Sequence, residues 1–396
     1  MKQAHCQLCK QQNWLIFSAI SFGIWDKDSK QLSRQNSNYP LGKCQSCGHV
    51  QVSLIYTKEL FEKLYFHSSQ EAVMWHESLV GSERPYEEMI DFAFNGKYPT
   101  SIVDFGCGEG KLLAAAKDIA KQSKLIGIDF NDRFSQQDIT YMAFDLNDLS
   151  QLSNHLWPDG IDLAMASHVL EHVIDPVSFL AELKARLSPH GKIFIEVPDF
   201  TLRHDEKSIG MSNLVNLQHI HYYTQDSLAF AAKQAGLTIV KQAQITTGYI
   251  PRLQMLLEPH NASLEEQVPS LFNAADVILH YQSCCRDLRN RLVGKVNAAL
   301  NEQSKVGLWG IGADFYNMLN EHPELTELIA KGEVVLFDYS LKGKALQRQH
   351  ILGSDEIPQF NHPVFMTPQL AETRVKMHVI SRDWPNVIDP FIDGNA

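Results

Sequence analysis

Short apolar runs of strand length alternate with helix-length stretches through the middle of this chain. The first is Ile102-Val103, ahead of Asp104. It is followed by Leu125–Asp129 (LIGID), Ile139–Asp145 (ITYMAFD), Asp162–Ser167 (DLAMAS) and Ile193–Val197 (IFIEV). Helical segments fall between them at Leu112–Ala120 and at Pro176–Leu187, the second stopped by Gly191. Apolar strands separated by helices predict a parallel, doubly wound α/β sheet, with a ligand crevice at the carboxyl ends of its strands. Ahead of it, residues 59–97 read as helical, with Leu60, Leu64, Met74, Met89, Ile90 and Phe92 as candidate buried positions. Pro251, Pro259 and Pro269 punctuate the exit. From Pro269 to Asn301, Val277, Ile278, Tyr281, Cys284, Leu288, Leu292, Val296 and Leu300 recur at steps of three or four, which is one helical stripe. A connector packed on its neighbours accounts for that stripe better than a dimeric coil. After Ser304 a second, smaller Rossmann-like unit is expected. Its strands are Lys305–Gly312, Glu333–Asp338 and Val375–Ser381, with a helix at Phe315–Leu319. The expected domains are therefore 1–58, 59–97, 98–262, 263–303 and 304–396.

The stretch SIVDFGCGEGKL carries the chemistry of the first unit. Asp104 is followed by Gly106, Gly108 and Gly110 in the spacing D-x-G-x-G-x-G, and a helix begins at once. Glycines at alternate positions let a backbone turn come close to a ligand that side chains would hold off. The spacing differs from the G-x-G-x-x-G of dinucleotide binders and resembles motif I of class I S-adenosylmethionine (SAM) methyltransferases. An ordinary nucleotide-binding Rossmann domain with a coincidental third glycine is the plain alternative. On the methyltransferase resemblance, Asp129 at the end of the second strand accepts from the two ribose hydroxyls, and Asp145 meets the adenine amino group. Cys107, Phe130, Leu146, Ser167 and His168 complete the candidate cofactor site.

Composition narrows the partners. Charged residues make up 20% and hydrophobic ones 44%, ordinary for a globular protein. The net charge of −11, with no basic run, argues against nucleic acid or an anionic membrane surface. No apolar run reaches transmembrane length and the N-terminal residues lack the core of a signal peptide, so a cytoplasmic protein is expected, monomeric or weakly self-associating. Cys6-x-x-Cys9 and Cys44-x-x-Cys47 are paired as two knuckles of a closed, structural zinc site. His5 and His49 flank them as bystanders. Cys107, Cys284 and Cys285 read as small buried residues.

The order of parts, a cysteine-pair module, a SAM-type domain and a Rossmann-like tail, resembles the sugar C-methyltransferase family over nearly the whole chain. Tyr65-Phe66-His67-Ser68-Ser69 looks like the family's aromatic-H-S-S segment. SHVLEHVIDP (167–176) resembles its histidine-bearing region, with the histidine on His172. NLQHIHYYTQDS (216–227) resembles its Tyr-x-Glu-His segment, with the histidine on His219. Gly310–Ala313, Asp338 and Lys342-Gly343-Lys344 resemble its second glycine turn and acid-then-Lys-Gly segment. The chain departs from the pattern at Asn216 (tyrosine in the family), Gln218 (glutamate) and Phe66 (tyrosine). The resemblance implies methylation of a carbon next to a keto group on a nucleotide-linked deoxysugar. Such chemistry needs a base for the carbon-bound proton and a donor for the enolate oxygen. His219 is the expected base, His172 the donor or orienting group, and Tyr222, with Tyr223, a further candidate. Phe66, His67, Asn216, Gln218 and Arg252 are the expected substrate contacts, with Arg84 a second choice for phosphate. Methylation of an oxygen or nitrogen, and a non-catalytic scaffold, are the competing functions.

Overall fold

The computed structural model describes residues 3–22, 30–32, 37–62, 84–94, 98–131, 134–201, 214–247, 250–260 and 273–392. The N-terminal module is a hairpin of β1 (Trp14–Phe22) and β2 (Ser37–Cys44), with β3 (Val50–Val52) antiparallel to β2. Of the lead-in, the helices Lys58–Glu62 and Pro85–Phe94 are described.

The central sheet grows from the runs read above. β4 (Ser101–Phe105), β5 (Lys124–Asp129), β6 (Thr140–Ala143), β7 (Ile161–Ser167) and β8 (Leu187–Pro198) are parallel. Every residue of β4 is buried, as expected for a strand covered on both faces. Asp175 starts the helix Pro176–Ala185 by accepting from the Ser178 N–H at 3.1 Å, with Pro176 in the first turn. β9 (His221–Tyr222) leaves this sheet and pairs with β3, Val50 opposite Tyr222. A segment distant in sequence thus completes the N-terminal module. β10 (Leu237–Ile245) and β11 (Arg252–Pro259) then close the central sheet as an antiparallel pair. The strand order is β10-β11-β8-β7-β4-β5-β6. The sheet is therefore mixed, where the sequence pattern suggested parallel strands alone. The order reverses between β4 and β7, the switch point at which open α/β sheets bind their ligands.

The C-terminal unit has β12 (Val306–Trp309), β13 (Val334–Phe337), the small hairpin β14 (Ala345–Leu346) and β15 (Gln349–His350), β16 (Val364–Met366) and β17 (Val387–Ile388). Its parallel sheet runs β13-β12-β16-β17. The strand expected at Val375–Ser381 is instead the helix Ala371–Ile380. Ala371, Arg374, Met377 and Ser381 are buried while Val375 and Val379 are exposed, a spacing of three and four that β-rich composition had masked.

The stripe after residue 269 forms the helix Ala275–Glu302, buried against two different cores. Val277, Ile278 and Tyr281 pack with the N-terminal sheet, and Leu288, Leu292 and Val296 with the C-terminal unit. Leu292 is 1% exposed. Leu292→Ala should cost about 3 kcal/mol, read as a lower urea midpoint with an unchanged slope.

Candidate active site

At the end of β4 the backbone turns in the left-handed region at Gly106, Gly108 and Gly110 (φ +79°, +52° and +81°). Gly106 has no room for a side chain, since a Cβ there would stand 2.3 Å from Val169 Cγ2. Gly108 is the reverse case. A Cβ would meet nothing within 4 Å, so the space above this turn is open. The Gly108 N–H donates to Asp129 Oδ2 at 2.8 Å, and the Asn131 N–H to Asp129 Oδ1 at 3.1 Å. The carboxylate at the end of β5 is thus fixed beside the open turn. Burial, and then the Asp129 charge, push the Asp104 carboxyl well above the usual range. Cys107 packs behind the turn against Gly127, and burial pushes its thiol up, which suits packing and not nucleophilic chemistry. Phe130 and Leu146 are half-buried at the rim. Asp145 is exposed, and its Oδ1 accepts from the Asn147 N–H at 2.9 Å to start a short 3-10 helix. The Phe144 N–H donates to the Asp129 carbonyl at 2.8 Å and so ties that segment to β5.

The loop after β7 builds the second half of the site. His168 has φ +54°, rare for a residue with a side chain. Its N–H donates to the Glu196 carbonyl at 2.8 Å. Its imidazole lies between two buried carboxylates, Nδ1 at 3.2 Å from Glu171 and Nε2 at 3.4 Å from Glu196. Burial works against an imidazolium, but the flanking carboxylates of Glu171 and Glu196 outweigh it and raise the His168 pKa. Burial would likewise raise Glu171, yet His168, followed by the charge of His172, holds it down to about 2. Glu196 also accepts from Ser167 Oγ at 3.4 Å and Gln254 Nε2 at 2.5 Å, and faces Arg252 Nε at 3.8 Å. Neither Glu196 nor Gln254 stood out as a site residue in the sequence. The available signal was an acid inside the apolar run IFIEVP.

The histidine pair comes together as the motif resemblance implied. The rings of His172 and His219 lie 4.8 Å apart at 66°. His172 Nδ1 is 2.9 Å from the Gln218 carbonyl, and His219 Nδ1 is 2.7 Å from the Leu214 carbonyl. Burial, then the charge of His172, lowers His219 to about 3. The other candidates shape the turn. Asn216 Oδ1 accepts from the N–H groups of Gln218 (2.8 Å) and His219 (3.2 Å). The hydroxyl of the fully buried Tyr222 donates to the Asn216 carbonyl at 3.1 Å, and that of Tyr223 to the Leu170 carbonyl at 3.3 Å. Gln218 contributes its backbone carbonyl to the site. Arg252, expected as a phosphate contact, is 3% exposed and inside the β8–β11 pair, facing Glu196. Arg84 lies on open surface beside Glu87, 3.5 Å away. Phe66 and His67 lie outside the described residues.

Cys6, Cys9, Cys44 and Cys47 converge, with Sγ atoms within 4.8 Å of one another. Cys6 and Cys47 are 3.6 Å apart and Cys9 and Cys44 are 3.5 Å apart, too far for disulfides. Tetrahedral thiolates on a zinc ion stand roughly 3.8 Å apart, from a Zn–S bond of about 2.3 Å, so the four residues fit that ion. The neighbouring thiols, Cys47 foremost, hold Cys44 well below the ordinary thiol range. His49 is bonded to His221 (3.1 Å) and stands outside the cluster.

Residues 81–242 match the family described as a methyltransferase domain. An uncharacterized 37.1 kDa protein in transposon TN4556 of Streptomyces fradiae is 31% identical over 124 residues, 30% of this chain and 35% of its relative. A ubiquinone biosynthesis O-methyltransferase of Histophilus somni is 28% identical over 120 residues, 28% of this chain and 49% of the other. The chain thus spans between a third and a half of the length of these curated relatives. A solved 1,6-didemethyltoxoflavin-N1-methyltransferase of Burkholderia thailandensis, with S-adenosylhomocysteine bound, aligns over 54% of this chain and 96% of its own, at 15% identity and a TM-score of 0.40. The strand order, not that superposition, identifies the fold. Among the described residues no helix is long and apolar enough to cross a membrane.

Proposed function

We propose that this chain is a SAM-dependent methyltransferase acting on a small-molecule acceptor, with the reacting atoms held between the glycine turn and the His172–His219 pair. One observation carries the assignment. The open space over Gly108 and the fixed Asp129 carboxylate form a cradle that suits an adenosyl group and its ribose, and Val169 against Gly106 joins that cradle directly to the histidine loop. SAM, when bound, supplies an electrophilic methyl on a sulfonium. The chain's own residues align it with the acceptor, which is where much of the acceleration arises. Asp104, Gly106, Gly108, Gly110, Asp129, Phe130, Asp145, Leu146, Ser167 and His168 form the cofactor side, and Cys107 supports the turn from behind.

On the acceptor side, His219 is the proton acceptor. Its Nδ1 is engaged by Leu214, so Nε2 is the atom that faces the work. His172 stands beside it as the donor or orienting group, itself set by the Gln218 carbonyl. The low basicity of a buried His219 suits a proton delivered at close range and disfavours bulk titration. We further propose a nucleotide-linked keto sugar methylated at carbon as the acceptor, supported by the part order and by this histidine pair. Arg252 and Tyr222 are positioning residues in this scheme, because both are buried and engaged. The cysteine cluster is assigned as a structural zinc site with no position left for water. Methylation at oxygen is the second reading. The similarity to an O-methyltransferase of Histophilus somni favours it, as does Gln218 in place of the expected glutamate.

Proton exchange of the keto substrate with deuterated water, followed without SAM, separates the two. Exchange catalysed by the protein and lost in His219→Ala supports carbon chemistry. Methyl transfer without exchange supports oxygen. In either case His219→Ala should lower turnover by about a hundredfold or more while leaving SAM affinity within about twofold. Unchanged turnover would remove the base assignment.

A further inference from the structure

We propose that Glu171, His172 and His219 bind one divalent transition-metal ion, at a centre separate from the cysteine cluster. One ligand atom from each of the three lies within 4.8 Å of the others. The two rings are set alike, each with Nδ1 against a backbone carbonyl, Gln218 for His172 and Leu214 for His219. A carbonyl can only accept, so Nδ1 carries the hydrogen in both rings, and a neutral ring then presents the lone pair of Nε2. Such a carbonyl behind the ring is the usual way in which metal-bound histidines are oriented. Glu171 supplies the third donor. It is 1% exposed, and among the described residues neither carboxylate oxygen has a hydrogen-bond partner. His168 Nδ1 stands 3.2 Å from it and His172 Nε2 3.9 Å. A buried carboxylate with incomplete hydrogen bonding is costly. With one ligand atom each from His172 and His219 within reach, the three make a donor set that a cation would complete.

The donor set identifies the ion class. Two histidines and one carboxylate suit zinc, iron(II), cobalt(II) or manganese(II), and leave positions open for other ligands. Coordination near 2.1 Å needs donors about 3.0–3.4 Å apart, so each side chain would draw in by roughly an ångström. The consequence for catalysis rests on the proposed function. An acceptor oxygen would complete the coordination and be polarised there; His219 Nε2, the proton acceptor of the ion-free protein, would then be a ligand and no longer the base.

The test uses the full chain carrying one equivalent of zinc, held by the cysteine cluster, titrated with cobalt(II) with no SAM or acceptor present. One further equivalent is expected, with visible d–d bands and no sulfur-to-cobalt charge-transfer absorption. Binding should weaken at least tenfold in Glu171→Gln and in His172→Gln. Should Glu171→Gln fail to fold, the half-buried His172 gives the deciding variant, checked by its melting temperature. No cobalt bound beside the zinc, sulfur-type absorption, or affinity unchanged in the variants would overturn the inference. Binding is read without methyl transfer, so the two proposals fail separately. A bound ion in a protein that methylates nothing overturns only the function. Failure to bind cobalt in a protein that turns over fully overturns only this second centre.

Discussion

Replacing Gly108 with asparagine should lower SAM affinity by about a hundredfold, or about 2.7 kcal/mol, while the melting temperature shifts by only a few degrees. The two effects separate because of where Gly108 sits. Nothing lies within 4 Å of the position its Cβ would take, so the new side chain enters the cradle and not the core. Its φ of +52° is a conformation that asparagine tolerates better than most residues. Gly106→Val cannot make this distinction. There the φ is +79° and Val169 Cγ2 is 2.3 Å from the new Cβ, so the substitution would distort the loop that carries His168 and His172 as well as the cofactor turn. Isothermal titration of SAM against both variants, with thermal melts alongside, checks the prediction. Gly108→Asn binding SAM as tightly as the parent would place the nucleoside elsewhere.

The second large effect is expected from Cys44→Ser. Cys44 lies among the four converging thiols, and a structural zinc site of the kind proposed there would supply folding free energy outright. The variant should lose its zinc and at least about 3 kcal/mol of stability in that module. The damage should travel. β3 pairs with β9 through Val50–Tyr222 and Gln51–His221, the Val52 N–H donates to the Ile220 carbonyl at 2.9 Å, and the Tyr56 hydroxyl to the Leu217 carbonyl at 2.8 Å. These bonds hold the turn that presents His219. Amide exchange across 214–222 should therefore accelerate by about tenfold or more (at least about 1.4 kcal/mol), in step with the loss of zinc and of turnover. Normal exchange protection in zinc-free protein would show that the module does not position the histidine.

Much of this architecture was legible because it rests on local signals. The runs at Ile102-Val103, LIGID and DLAMAS are buried strands because no polar residue interrupts them, and the glycine spacing fixed the turn between the first strand and its helix. The Cys-x-x-Cys pairs converge as their spacing implied. What the pattern hid depends on distant partners. β9 is two residues long and exists only because β3 lies beside it. VKMHVIS has the composition of a strand but the burial of a helix, since its neighbours cover one side alone. Tyr222 and Arg252 have side chains suited to chemistry, yet their functional groups are engaged inside the fold, and no single sequence tells an engaged hydroxyl from an open one. Glu196 was overlooked for the opposite reason. In a strand it reads as one polar residue among apolar ones, and its role appears only where His168, Ser167, Gln254 and Arg252 surround it.

The most direct test of the cofactor site is a crystal structure of the zinc-loaded protein grown with S-adenosylhomocysteine. The ribose hydroxyls should lie within hydrogen-bond distance of the Asp129 carboxylate, with the homocysteine chain passing over Gly106–Gly110 toward His172 and His219. Ligand bound away from that turn, or a crevice still empty at saturating concentration, would contradict the account.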